Sequence, residues 1–221
     1  MSPRRQHLKQ LISLGAIGVG GTLGVIQRVL AQGLKPVPPG VYSVKGEVLI
    51  DGRPATVGQL VAPGATVTTR HGAEVVYVIG ENAFLQRENS VVSFGTDLAK
   101  DFFRVLSGKL LSVFGKGHKT LHTPTATIGI RGTGCYIEAQ EKAVYFCLCY
   151  GAADVIPTAD PNRVERIVTR HHDHPIMIHH DKNMPTMASA RVLNHSDAEL
   201  ILLENLTGRW PPFYGSGSSY N

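Results

Sequence analysis

Residues 132–151 read GTGCYIEAQEKAVYFCLCYG. Two runs rich in aromatic and β-branched residues flank the polar break Gln140-Glu141-Lys142, the pattern of a β-hairpin. Side chains alternate along a strand, so Phe146, Leu148 and Tyr150 share one face while Cys147 and Cys149 share the other. The first set reads as core. Loop parity then decides where the remaining cysteine goes. A loop of three residues, Gln140-Glu141-Lys142, sets Cys135 opposite Cys147 and gathers three thiols on one face. A loop of two would send Cys135 to the Phe146 face. The three-residue loop is the expectation carried forward.

Outward from this hairpin, the chain from Val41 is a series of short β-type runs. SVKGEVLI precedes Asp51-Gly52, ATVTTR precedes His71-Gly72, and AEVVYVI precedes Gly80. NAFLQ, SVVSF, FFRVL, KLLSVF and KTLH follow at a spacing of about eight to twelve residues, as in all-β folds. No stretch in 41–160 carries a convincing helical period. The 24 glycines and 13 prolines are about 17% of the 221 residues, above a background of about 12%. With 43% hydrophobic and 18% charged residues the chain is not of the disordered class. The fold class expected is mainly β: one all-β domain, β-solenoid or sandwich-like.

The most specific run is TPTATIGIRGT, residues 123–133. Upstream lie VAPGATVTTRHGAEVVYVIGENAFLQRENSVVSFG at 61–95 and VLSGKLLSVFG at 105–115. In this order, closed by the hairpin, these segments resemble the FecR domain over roughly residues 41–157. The resemblance implies an all-β periplasmic module, often a signal-sensing part of iron-uptake regulators. Those regulators carry a cytoplasmic anti-sigma segment ahead of a membrane span. This chain has only a signal peptide there, which speaks against a direct anti-sigma role.

The opening, MSPRRQHLKQLISLGAIGVGGTLGVIQRVLAQG, places Arg4-Arg5 before an apolar stretch from Leu11 to Ile26. That stretch is shorter than the roughly 20 residues of a membrane helix and holds five glycines. Val29-Leu30-Ala31 offers small side chains for a signal peptidase. Residues 1–31 resemble a Tat-type signal; a Sec signal or an uncleaved anchor are the alternatives. Cleavage after Ala31 removes Arg4, Arg5, Lys9 and Arg28 and no acidic residue. The formal charge then falls from +5 to +1. A charge that small leaves no basic stripe for phosphates, so nucleic acid is not an expected partner. The expected location is the periplasm or outside the cell, with membrane contact only through an uncleaved signal. Residues 32–40 read as a Pro-rich linker, 41–157 as the FecR-like domain, and 158–221 as a His-rich, loop-rich tail. A short C-terminal helix is expected near 197–207, opened by the capping box Ser196-Asp197-Ala198-Glu199 and stopped by Gly208.

Chemistry concentrates in two places. One is the thiol set Cys135, Cys147 and Cys149. The other is Arg170-His171-His172-Asp173-His174 with His179-His180, where five of the nine histidines beyond residue 31 fall within ten residues. Three thiolates and one imidazole complete a tetrahedral zinc site or hold an iron–sulfur cluster. His172 is the chosen fourth ligand, because Asp173 follows it and Pro175 constrains His174. Copper, bound by the His/Met tail with Met177, Met184 and Met187, is the weaker fit. A Cys135–Cys147 disulfide, inert buried cysteines, and a merely solvated His-rich loop stay open as alternatives. His71, His118, His122 and His195 read as structural. No G-x-S-x-G, P-loop, H-E-x-x-H or helix-opening G-x-G-x-x-G is present. The chain therefore reads as a non-enzymatic binding or sensing module whose partner is an unidentified protein or small ligand in the periplasm. Replacing Arg4 and Arg5 with lysine should leave the precursor in the cytoplasm. Normal periplasmic accumulation of that variant, followed by cell fractionation, would rule out the Tat route.

Overall fold

The computed structural model describes residues 36–97, 102–181 and 183–215. The signal segment 1–31 and the start of the linker lie outside the described residues. Fourteen strands and one helix are described: β1 (Gly40–Lys45), β2 (Val48–Ile50), β3 (Arg53–Pro54), β4 (Thr66–Thr69), β5 (Glu74–Ile79), β6 (Asn82–Gln86), β7 (Ser90–Phe94), β8 (Phe103–Val113), β9 (His118–His122), β10 (Ala126–Ala139), β11 (Ala143–Pro157), β12 (Glu165–Thr169), β13 (Ile176–His179), β14 (Met187–Ser189) and α1 (Asp197–Leu206). The fold is mostly β with one short C-terminal helix, as the turn-rich composition implies. No described helix is long and apolar enough to cross a membrane.

All strands join one sheet that does not close, and every pairing is antiparallel except β8 with β9. Three long strands organise it by changing neighbours halfway. The first part of β8 pairs with β7 and β9, and the second part with β6 and β10. The first part of β10 lies between β9 and the end of β11, and its second part between β8 and the start of β11. β11 in turn pairs first with β13 and then with β12. The sheet thus divides into two layers that share β8, β10 and β11. Residues from both layers meet in one core, which makes the arrangement sandwich-like rather than solenoidal. Tyr77 and Phe84 of one layer pack on Phe94 and Phe103 of the other, with ring centroids 5.5 to 6.0 Å apart across them. Such ring pairs add to the burial of their area.

The crossing between layers needs glycine at two positions. Gly108 bends β8 at φ +88°, and a Cβ there would lie 2.1 Å from the Ser90 hydroxyl. Gly151 bends β11 at φ +99°, with Thr133 Cγ2 at 2.6 Å from the same hypothetical atom. Both combine a left-handed backbone with a close approach that only glycine permits.

The layer made by β1, β5, β6, β13 and the shared strands is buried on both faces. Val75, Tyr77, Leu110, Ile137 and Phe146 point into the core between layers. Their neighbours Val76, Val78, Leu111, Tyr136 and Cys147 point outward into a second core, closed by Leu200, Leu202, Leu203, Leu206 and Phe213. That double burial is why EVVYVI, NAFLQ and AVYFCLCY are near-continuous apolar runs. The tail is also less loop-like than its composition indicates. β12, β13 and β14 extend the sheet, because β11 offers each of its two halves a free edge. The helix falls where the capping box and leucine spacing place it.

The turn of the β10–β11 hairpin is Glu141-Lys142. The Gln140 N–H donates to the Ala143 carbonyl at 3.0 Å, and Ala139 faces Val144. This two-residue loop sets Tyr136, not Cys135, opposite Cys147. Phe146 lies fully buried between the layers. Phe146→Ala should destabilise the fold by about 3–5 kcal/mol, read as a lower denaturation midpoint at unchanged slope. A loss below about 1 kcal/mol would contradict this placement, since that is the size of a single lost methyl group.

Candidate metal centre

Cys147 and Cys149 stand two residues apart on β11 and face the second core beneath α1. Cys135 does not join them. The two-residue turn puts it opposite Leu148, in the core between the layers with Ile137 and Phe146. The three-thiol cluster expected from a three-residue loop is therefore corrected to a pair. Burial pushes the Cys135 thiol up to about 12. It is a buried apolar side chain. All three cysteines are unbridged, and a Cys135–Cys147 disulfide would have to cross from one face of the sheet to the other.

Two histidines complete the group. His172 sits in the turn between β12 and β13 at φ +54°, and its N–H donates to the Cys149 carbonyl at 2.9 Å. That turn is held by Asp173, whose carboxylate accepts from the Thr169 hydroxyl at 2.8 Å and the Arg170 N–H at 3.0 Å. Asp173 thus shapes the loop and does not orient an imidazole. The second histidine is His195, just ahead of α1, stacked on Tyr136 with centroids 4.6 Å apart. The Cys147 and Cys149 sulfurs and one nitrogen each of His172 and His195 all lie within 4.8 Å of one another.

The outer partners of these rings define which nitrogen faces the site. His195 Nδ1 donates to the Leu193 carbonyl at 2.6 Å, leaving the Nε2 lone pair toward the site. His172 Nε2 lies 3.2 Å from the Asp197 carboxylate and donates to it, leaving Nδ1 toward the site. Asp197 also accepts from His171 Nε2 at 2.8 Å. The two inward nitrogens face each other at 3.0 Å, and Cys147 Sγ lies 3.5 Å from His172 Nδ1. Electron-rich atoms this close need a cation or a proton among them. Tetrahedral zinc, with Zn–S near 2.3 Å and Zn–N near 2.0–2.1 Å, holds its ligand atoms about 3.3–3.8 Å apart. A carboxylate or carbonyl on the second nitrogen of each ring is the usual outer support of a metal-bound histidine.

Cys149, then His172 and His195, draw the Cys147 thiol far below its ordinary range despite burial. Burial and the neighbouring Cys147 push Cys149 the opposite way. Burial lowers His172, but Cys147 and then Asp197 outweigh it and hold the imidazole above its ordinary value. Cys147, His172 and Asp197 also line up as a thiol–imidazole–carboxylate relay. Catalysis by that relay would need a substrate at the sulfur, and Cys147 is completely buried. A cleft of about 850 Å³ beside the site is walled by His195, Asn194, Arg87 and Glu199, and an apolar one of about 590 Å³ by His171 and Phe213; Cys147 lines neither.

The structure therefore brings together Cys147, Cys149 and His172 of the residues singled out from sequence, and replaces Cys135 by His195. His174 lines a separate cleft with Met187, His180 lies beside Thr158, and Met184 is exposed. Met177 packs against the second core that holds Cys147 and Cys149. His195 reaches the thiols because it enters α1, which covers the Cys147 face, and no local signal in the sequence shows that return.

No protein-family model matches the chain, and no curated protein matches it. Two crystal structures of a "putative anti-sigma factor" from Parabacteroides distasonis are similar to it at 11% identity and a TM-score of 0.48. The match covers 57% of this chain and 59% of that one, so the chain spans less than two thirds of that protein's length.

Thiol titration of the unfolded chain, without reductant, should find three reactive groups. A Cys135–Cys147 disulfide would leave one, and that count would refute the register described here.

Proposed function

We propose that this chain is an exported, non-enzymatic β module that binds one transition-metal ion through Cys147, Cys149, His172 and His195, and that it serves as a binding or sensing unit of FecR type. The observation that carries the metal reading is the gathering of two ring nitrogens, 3.0 Å apart, and two cysteine sulfurs within 4.8 Å of one another, each ring braced by an oxygen acceptor behind it. Two thiolates and two imidazoles form a closed tetrahedral set suited to zinc. Ligand atoms gathered about one centre favour a single ion over an iron–sulfur cluster, whose ligands are spread over two or more irons. Four protein ligands leave no open position, which is the pattern of structural rather than catalytic zinc.

The FecR part of the reading rests on where its motif residues fall. Ser107-Gly108-Lys109-Leu110 spans the bend of β8, and Arg131-Gly132-Thr133 spans the irregularity where β10 changes layers. These are the points that set the two-layer fold. Export rests on the Arg4-Arg5 segment, and the full burial of Cys147 argues against its use as a nucleophile.

The untagged chain should bind one equivalent of zinc. Cys149→Ser should lower the affinity by at least about tenfold, the lower end of what even outer-support changes cost. Cys135→Ala should retain the full equivalent. Elemental analysis with a competitive chelator measures both. Zinc bound equally by wild type and Cys149→Ser, or by neither, would overturn the reading.

A further inference from the structure

The four ligands come from three separate parts of the chain. Cys147 and Cys149 belong to β11, which pairs with β10 along this stretch and with β13 just before it, at 143–146. His172 lies in the β12–β13 turn, and His195 opens the C-terminal arm, residues 193–213, that carries α1. Asp197, the first residue of α1, braces His172 from behind. Resting on the metal reading above, we infer that the ion is a clasp: its binding locks the C-terminal arm over the second core, and its loss frees the arm and uncovers that apolar face of the sheet.

The arm is built to respond in this way. Among the described residues α1 makes no backbone hydrogen bond to the sheet. At ten residues it is too short to persist as an isolated helix. What holds it is four leucines, Phe213, a few side-chain bonds such as Arg87 Nη2 to the Asn194 carbonyl at 2.8 Å, and one backbone bond from the linker, the Val37 N–H to the Leu206 carbonyl at 2.9 Å. Elements held mainly by side chains open more readily than strands inside a ladder. Opening the arm must withdraw His195 from the site and Asp197 from both His171 and His172. The thiol pair, fixed in β11, stays behind. Binding of the ion and docking of the arm are therefore linked, and each must strengthen the other by the same factor. The cleft walled by His195 and Ser196 runs along the hinge of this movement.

Hydrogen exchange on the full-length chain, zinc-loaded against chelator-stripped, tests the clasp. Amides of α1 should exchange at least about tenfold more slowly with zinc, because opening costs one ligand and one outer support. Amides of β7, remote from the site, should change far less. Leu203→Asp, which alters no ligand but drives α1 off the sheet, should raise the zinc dissociation constant by a similar factor. Stoichiometric zinc with unchanged α1 exchange would overturn the clasp and leave the metal site standing. So would an equal slowing of β7 and α1, which would make the ion a support of the whole fold. A chain that binds no zinc overturns both. Where Leu203→Asp fails to fold, the wild-type exchange comparison decides.

Discussion

The register of the β10–β11 hairpin sets the terms for the rest of the molecule. A turn of Glu141-Lys142 pairs Ala139 with Val144, and every cross-strand partner follows from that. Because side chains alternate with period two, one residue more in the turn would exchange the two faces of one strand relative to the other. In the register adopted, Ile137, Phe146 and Leu148 fill the space between the layers with Cys135 among them. Tyr136, Tyr145, Cys147 and Cys149 are left facing the other way. That face is largely apolar and too extensive to leave to water.

The cover is α1, and polar groups hold both of its ends. At the start, the capping box joins Ser196 and Glu199, and Glu199 pairs with Arg87 at 2.8 Å. At the end, buried Glu204 accepts from the Tyr150 hydroxyl and from Arg209 Nε, while Arg209 also reaches the Glu81 carbonyl at 2.9 Å. Burial holds the Glu204 carboxyl above its ordinary value against these hydrogen bonds. Buried polar groups cost stability unless partnered, so these contacts specify one seat for the helix rather than merely adding to its burial. The cysteine and histidine ligands lie at the first of these two ends, where the arm enters. A site there can couple the arm to the sheet in a way that a site within β11 alone could not.

Much of this fold is legible in the residues. Asp51-Gly52 and Gly80 mark tight hairpins, and both residues of the first pair take positive φ as such turns require. The capping box and leucine spacing place the helix. Val76, Val78, Val92, Leu110, Phe146 and Leu148 are recognisable as core and are buried. The tail strands were not legible, because β12 to β14 are short and half-exposed and exist as strands only where β11 offers them an edge.

The site divides in the same way. The amino-acid order alone determines that Cys147 and Cys149 share a face, since residues two apart on a regular strand do, and that histidines crowd the segment after β12. It also determines that α1 begins at Ser196. Whether the third cysteine joins the pair depends on how many residues the turn leaves unpaired, and Gln140-Glu141-Lys142 is compatible with either count. Which histidine completes the set depends on how the arm folds back over a face nearly fifty residues earlier in the chain. Only the tertiary structure settles those two points, because local alternation fixes the direction of a side chain within its strand but not what another strand or a returning helix brings to meet it.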